Sequence, residues 1–203
     1  HGGTFGICGA ISFHPLKNLN GLGDGGMLLT NNKKIYEKVK LYRNDGMVSR
    51  DNYLEFGVNS RLDILNSEVL KFRLTKLDKV NATRRANANL YRKLITAEQV
   101  FIPSDDVNQK TSYVMFLVLC ENRDKLREYL SSKGIETLVY YGTPLHLHKA
   151  SEKFGYKIGD FPIAENQCNK VLALPHHQYI TESQIEFVSE HINKFYRNQK
   201  IFH

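Results

Sequence analysis

The sequence has few cysteines, and they are not arranged as cross-links or as zinc ligands. Cys8, Cys120 and Cys168 are odd in number, lie far apart and form no C-x-x-C pair. This argues against a disulfide framework and gives no indication of a zinc site. We therefore expect reduced, mostly buried thiols and no bound metal.

Long apolar runs are absent as well. No stretch approaches the length that crosses a bilayer, and the N-terminal residues HGGTFGICGA lack the basic flank and apolar core of a secretory signal. We expect a cytoplasmic protein without membrane association. The chain also begins without methionine and enters an apolar strand almost at once, so we expect it to lack an N-terminal part.

Strongly biased segments are missing too, since 41% apolar and 24% charged residues are an ordinary globular composition. The net charge of +7 favours a polyanionic partner such as a nucleotide diphosphate or a nucleic acid. Much of the positive charge lies between residues 71 and 93, where a solvated helix face accounts for it. Because no aromatic stacking motif or nucleic-acid module accompanies this charge, we expect no nucleic-acid binding.

The first half of the chain has the pattern of an α/β layer. Residues 9–13 and 27–30 predict two short strands on either side of a polar, glycine-rich loop. Asn32 is suited to cap the following helix. A polar loop over residues 47–61 then precedes a long helical region that extends towards Leu94.

The second half predicts a separate α+β subdomain. Residues 113–119 are apolar on both faces, as in a central strand, and further strands are expected at 136–141 and 171–174. Thr181 and Gln184 form a capping box at the start of a final helix. We therefore expect an α/β fold with a C-terminal α+β subdomain, and a boundary within the long helical region.

The run SFHPLKNLNGLGDGG places one lysine on a loop between the first strand and a glycine-rich turn. A lysine that loses hydration has a lowered pKa, and its neutral amine is a nucleophile able to form an imine with an aldehyde. Ser12, at the strand end, is suited to donate its hydroxyl to a phosphate, and glycines allow a ligand to approach the main chain. Lys17 is therefore the candidate catalytic residue, although the spacing alone is also that of an ordinary loop lysine.

This run resembles the active-site signature of the DegT/DnrJ/EryC1/StrS family of fold-type-I aminotransferases. In that signature a serine, an aromatic residue, a proline, a lysine and an asparagine precede a G-D-G-G turn. Further runs resemble later blocks of the family in the same order, so the resemblance covers essentially the entire chain. They are RNDGM (43–47), FGVNSRLDIL (56–65), LVYYGTPLHLH (138–148), YKIGDFPIAE (156–165) and VLALPHH (171–177).

The resemblance implies the pyridoxal-phosphate-dependent transferase fold of type I. Residues 1–75 would be the remainder of the cofactor-binding large domain, and residues 76–203 the small C-terminal α+β domain. Lys17 would hold pyridoxal phosphate covalently through its side-chain amine, Ser12 would bind the cofactor phosphate, and Asn59 would reach that phosphate from the neighbouring subunit of a homodimer. Ser12 could instead satisfy a strand end, and Asn59 could be an ordinary turn residue.

Three further residues are candidates for substrate binding. Arg61 could bind an anionic group of cofactor or substrate across the same interface, or it could pair with Asp63. Tyr140 and His146 lie in the block that resembles the sugar-facing loop of the family, and packing roles are the alternative for both.

The chain departs from the family pattern at several positions. Asp45 stands where histidine is frequent, Asn66 where glutamine is frequent, and Val114 where a histidine often precedes paired apolar residues. The family's glycine-centred phosphate turn, the aromatic that stacks on the cofactor ring and the acidic partner of the pyridine nitrogen precede the lysine block, and none is found here. We expect them before His1, and we expect a chain without the acidic partner to be a poor catalyst by itself.

The resemblance implies transfer of an amino group from glutamate to a keto group of a nucleotide-linked deoxysugar. The run NSRLD favours the members of the family that act at C3 of the sugar. One alternative is a dehydratase of the same family that uses pyridoxal phosphate or pyridoxamine phosphate, but histidine replaces the lysine there, so Lys17 argues against it. The other alternative is a non-catalytic fragment.

Overall fold

The computed structural model describes residues 2–200, which divide into two compact units. The first unit ends at Asp78 and the second begins at Lys79. The predicted division of enzyme domains after residue 75 stays a prediction. None of the helices in the described range combines the length and the hydropathy that a bilayer-spanning helix needs.

The first unit is built from short antiparallel strand pairs and helices. β1 (Gly9–Ser12) pairs with β2 (Gly26–Leu29), with Ser12 opposite Gly26. The elements that follow in this unit are α1 (Lys33–Tyr42), the antiparallel pair β3 (Met47–Ser49) and β4 (Asn52–Tyr53), and α2 (Ile64–Leu74).

Local chemistry fixes the start of α1 and the turn before β3. Asn32 Oδ1 accepts the N–H of Lys34 at 2.9 Å, which confirms the predicted helix cap. Residues 47–61 were expected to be a loop, but they contain the β3–β4 hairpin. Before it the chain turns at Gly46 with φ +75°, and a Cβ there would lie 1.8 Å from the Glu55 carbonyl oxygen, so only glycine fits.

The predicted long helical region is confirmed, and it consists of two helices, α2 and α3 (Leu77–Leu94), that are separated at Thr75 and Lys76. Thr75 follows the last residue of α2, and its hydroxyl donates to the Phe72 carbonyl at 2.7 Å. A threonine side chain that bonds the main chain in this way competes with continuation of the helix.

The second unit is a three-stranded antiparallel sheet covered by helices. Its strands lie in the order β5 (Val100–Phe101), β6 (Phe116–Cys120) and β7 (Val171–Leu174), so the predicted central strand is confirmed. Its helices besides α3 are α4 (Arg123–Ser132), α5 (Pro162–Lys170) and α6 (Glu182–Lys200). The largest fully buried apolar side chains of the core are Tyr91, Tyr196, Phe116, Leu126, Leu130, Leu172, Ile185 and Ile192.

Two predictions about this unit have opposite outcomes. The capping box of α6 is confirmed, because Thr181 N–H donates to Gln184 Oε1 at 3.0 Å and Gln184 N–H donates to Thr181 Oγ at 3.2 Å. The strand predicted at residues 136–141 is wrong. Leu138 forms one isolated bridge to Ala173, and the chain then turns at Tyr141, whose φ of 60° is left-handed and ends extended structure.

Candidate active site

Lys17 lies in the middle of a loop that follows β1 and is closed at its base by main-chain bonds. Gly21 N–H donates to the Phe13 carbonyl at 2.7 Å, and Phe13 N–H donates to the Gly25 carbonyl at 2.8 Å. The Phe13 side chain is only 5% exposed and anchors the base. Lys17 N–H donates to the His14 carbonyl at 2.8 Å, while its side chain is exposed in this chain. The loop therefore presents a primary amine at its outer end.

Ser12 is the last residue of β1 and is also exposed. Its Oγ accepts the main-chain N–H of His14 at 3.2 Å. A hydroxyl that accepts one bond still has its hydrogen to donate. His14 stabilises the same turn, because its Nδ1 accepts the N–H of Leu16 at 3.1 Å. A hydroxyl donor and an amine are thus held on one short segment.

Asn59 and Arg61 belong to a second cluster in the same unit. Asn59 forms an antiparallel bridge with Asn44, and Arg61 Nε donates to Asn59 Oδ1 at 3.1 Å. Arg61 Nη1 lies 3.5 Å from Asn44 Oδ1, so this guanidinium is held by two asparagine oxygens instead of by Asp63. With its oxygen engaged, the Asn59 amide has its NH₂ group to offer to another acceptor.

His146 lies in the second unit and is held by Glu165. Its Nε2 is 3.0 Å from Glu165 Oε1, its ring centroid is 4.7 Å from that of Phe161, and its side chain is 8% exposed. The same carboxylate accepts the main-chain N–H groups of Gly159 and Phe161 at 2.9 and 3.2 Å. Desolvation acts to raise the pKa of Glu165, but these bonds and His146 outweigh it and hold the pKa below its usual range.

Tyr140 is half-buried, with its ring centroid 6.3 Å from that of Tyr141. The structure therefore brings Ser12 and Lys17 together in one loop, and Asn59 and Arg61 together in another. Tyr140 and the covered His146 belong to the other unit.

Two residues of the site were not singled out from the sequence. Asn44 lies within the RNDGM run and Glu165 at the end of YKIGDFPIAE, so both stand in runs that resemble family blocks. Nothing in their spacing indicates the partners, because Asn44 meets Arg61 and Glu165 meets His146 only after the chain has folded back.

The fold and the lysine loop define the class of protein. The crystal structure of S. venezuelae DesV with a ketimine intermediate matches with a TM-score of 0.89 and 32% identity, over 94% of this chain and 52% of that one. The chain has the pyridoxal-phosphate-dependent transferase fold of type I over the matched part, which confirms the predicted fold class.

The model of the DegT/DnrJ/EryC1/StrS aminotransferase family matches residues 1–193, and the chain belongs to that family. It is 38% identical over 167 residues to the erythromycin biosynthesis sensory transduction protein EryC1 of Saccharopolyspora erythraea. This match covers 82% of this chain and 46% of that protein. It is 36% identical over 167 residues to the dTDP-3-amino-3,4,6-trideoxy-alpha-D-glucose transaminase of Streptomyces venezuelae. This match covers 82% of this chain and 44% of that enzyme. The chain spans about half the length of the curated relatives it matches.

Proposed function

We propose that this chain forms part of a cytoplasmic pyridoxal-phosphate-dependent aminotransferase that moves an amino group from glutamate onto a keto group of a nucleotide-linked deoxysugar. Membership of an aminotransferase family supports the reaction type, and the relative named as a dTDP-amino-sugar transaminase supports the substrate class. The observation that carries the proposal is the position of Lys17 midway along a loop that main-chain bonds close at its base, on the same short segment as the Ser12 hydroxyl.

The donor set of the first unit fits this cofactor. Pyridoxal phosphate, when bound, supplies an aldehyde that condenses with amines and a ring that withdraws electrons from the reacting carbon. Lys17 offers the primary amine, the Ser12 hydroxyl offers a hydrogen to a phosphate oxygen, and the Asn59 amide offers its NH₂ group. We propose that these three residues hold the cofactor.

The Lys17 amine also has the chemistry of a proton carrier. Once released from its covalent bond, a neutral amine accepts a proton from one carbon and returns it to another within the same site. Arg61 engages the Asn59 oxygen, which supports a role in orienting the Asn59 amide, and its predicted binding of an anionic group stays a prediction.

Tyr140 and His146 stay candidates for the sugar site. Because His146 uses Nε2 on Glu165 and is nearly covered, contact with a sugar would use the small part of its ring that remains exposed. Tyr140 is less covered.

We propose that the active site is completed by a second copy of the chain. The first unit exposes large apolar side chains next to site residues, since Phe56 is 100% exposed near Asn59 and Leu16 is 69% exposed beside Lys17. Exposed apolar side chains of this kind mark surfaces that are covered in the assembled protein. We place residues 1–75 in the large domain and residues 76–203 in the small domain of that assembly.

Covalent trapping tests the proposal. The chain is mixed with pyridoxal phosphate, reduced with borohydride and mapped by mass spectrometry. We expect a reduced adduct on Lys17 that is lost in Lys17→Ala and retained in Lys110→Ala, which removes another exposed lysine. Glutamate added before the reduction should release 2-oxoglutarate only slowly, because we expect a chain without the acidic partner of the cofactor ring to be a poor catalyst by itself. A wild-type chain without any adduct would instead favour the non-catalytic fragment.

A further inference from the structure

Two side chains of α2 hold the lysine-bearing loop from outside. Asn66 Oδ1 accepts the N–H of Leu22 at 3.0 Å, and Arg73 Nη1 donates to the carbonyl groups of Asn20 and Gly21 at 2.7 and 3.2 Å. The bonded residues are 44 to 53 positions apart in the sequence. All of these bonds fall on the segment that closes the loop.

The two side chains act from one face of the helix. Residues 66 and 73 are separated by about two helical turns, so their side chains lie one above the other along α2. Asn66 is buried and Arg73 is half-buried. The guanidinium is a planar group with several N–H donors, which suits it to bridge two neighbouring carbonyl oxygens. The polar face of α2 is therefore used to fix the loop.

The glycines of the turn allow this close approach. A Cβ at Gly21 would lie 2.6 Å from Asn66 Oδ1 and 2.9 Å from Asn66 Nδ2, and a Cβ at Gly25 would lie 2.9 Å from Leu62 Cδ1. Real side chains do not approach so closely, so a larger residue would displace the Asn66 or Leu62 side chain or the loop itself. Gly21 and Gly25 thus serve the packing of the loop against the helix.

We propose that Asn66 and Arg73 are positioning residues for Lys17, an inference that rests on the proposed function. The loop is closed between Phe13 and Gly21 with the lysine midway, so a shift of the Gly21 end shifts the amine. Reacting atoms must meet at roughly 3–3.5 Å, and a misplacement of about 1 Å lowers rates by up to about 100-fold. Both side chains act on the amine through the main chain of residues 20–22.

The test compares the full chain with Asn66→Ala and Arg73→Met in two measurements. The first is hydrogen exchange of the main-chain amides of residues 20–22, and the second is the rate at which pyridoxal phosphate is trapped on Lys17. We expect the Leu22 amide to exchange about tenfold faster in Asn66→Ala. We expect trapping on Lys17 to be about tenfold slower in both variants.

Three further variants keep the test specific. Asn66→Asp keeps the acceptor oxygen and should restore the protection of Leu22, while Arg73→Lys keeps the charge and should give an intermediate trapping rate. Lys71→Met removes an exposed cation from the same helix, and it should leave both measurements unchanged.

The outcomes separate this inference from the proposed function. If the wild-type chain forms the adduct while the α2 variants leave the trapping rate unchanged, the positioning role is overturned and the proposed function stands, whatever the exchange rates are. A wild-type chain that forms no adduct overturns the proposed function and the positioning role with it. Faster exchange would then still show that α2 holds the loop.

Discussion

At the scale of single residues, His176 is a half-buried imidazole placed among aromatic rings. Its ring centroid is 5.7 Å from that of Phe116 and 6.1 Å from that of Tyr113. Its Nε2 lies 3.0 Å from the Arg84 carbonyl oxygen. Burial is the largest cause that lowers the pKa of His176 to about 4, and the nearby Arg84 cation lowers it further.

This lowered pKa predicts acid sensitivity of the fold. Below about pH 6.5 an unfolded chain protonates His176 while the folded chain keeps it neutral until about pH 4, so stability falls as the pH drops through this window. The ring is partly exposed, so we expect a loss of about 1–3 kcal/mol. Urea unfolding at pH 7 and at pH 4.5 gives the free energy of unfolding at each pH, and the difference measures the loss. His176→Gln should flatten the dependence, whereas His148→Gln, at an exposed position, should not.

Also at this scale, the sequence identified residues by type better than it identified their partners. The sequence and the family resemblance single out Lys17, Ser12 and Asn59, and their roles stay proposals. The expectation that the glycines of the lysine loop admit a ligand stays a prediction, and Gly21 in addition lies close to Asn66. That contact could not be predicted, because it depends on how α2 packs, which no local pattern encodes.

At the scale of elements, the carboxylate of Glu165 organises the segment before α5. It joins the Gly159 and Phe161 amides to His146, so one side chain fixes three separate points of the chain. Buried or half-buried acceptors that receive several N–H donors hold a segment in one conformation.

Removing this carboxylate should loosen the segment locally. In Glu165→Ala we expect the Gly159 and Phe161 amides to exchange about tenfold faster, because their acceptor is lost. Glu165→Gln keeps an acceptor oxygen, so its exchange rates should lie between those of the wild-type chain and those of Glu165→Ala. Glu186→Ala, at an exposed position of α6, is the control. Equal exchange rates in all four proteins would show that Glu165 does not order this segment.

Elements with a local signal were predictable from the sequence, and those defined by distant contacts were not. The cap at Asn32 and the box at Thr181 need only neighbouring residues, and both are confirmed. The β3–β4 hairpin depends on Gly46 meeting Glu55, and the supposed strand at 136–141 had no indication of the turn at its end. Hydrophobic pattern alone does not report such turns.

At the scale of the whole molecule, the two units differ in how much apolar surface they bury. Within the described residues, Phe13 and Leu70 are the buried large apolar side chains of the first unit, whereas the second unit has a continuous core. The candidate residues Ser12, Lys17, Asn59 and Arg61 all lie in the unit with the smaller core. This distribution supports a site that is completed by assembly.

Hybrid assemblies test a shared site. If Asn59 serves the Lys17 of the other subunit, a dimer of one Lys17→Ala chain and one Asn59→Ala chain contains one intact site. We expect an equal mixture to recover adduct formation at about a quarter of wild-type sites, since about half of the dimers are hybrids. The recovery is measured by covalent trapping at a cofactor concentration so low that Asn59→Ala alone forms no adduct. Recovery no greater than that of the separate variants would place both residues in one subunit.

The bonds from α2 to the lysine loop determine which segments must be grafted together into another protein. Residues 13–25 copied into another scaffold would carry the amine and the glycines, but they would leave behind the amide and guanidinium groups that set the loop's shape. A functional graft has to include Asn66 and Arg73 on a correctly oriented helix. In chimaeras between relatives, the loop and α2 should therefore be taken together from the same protein.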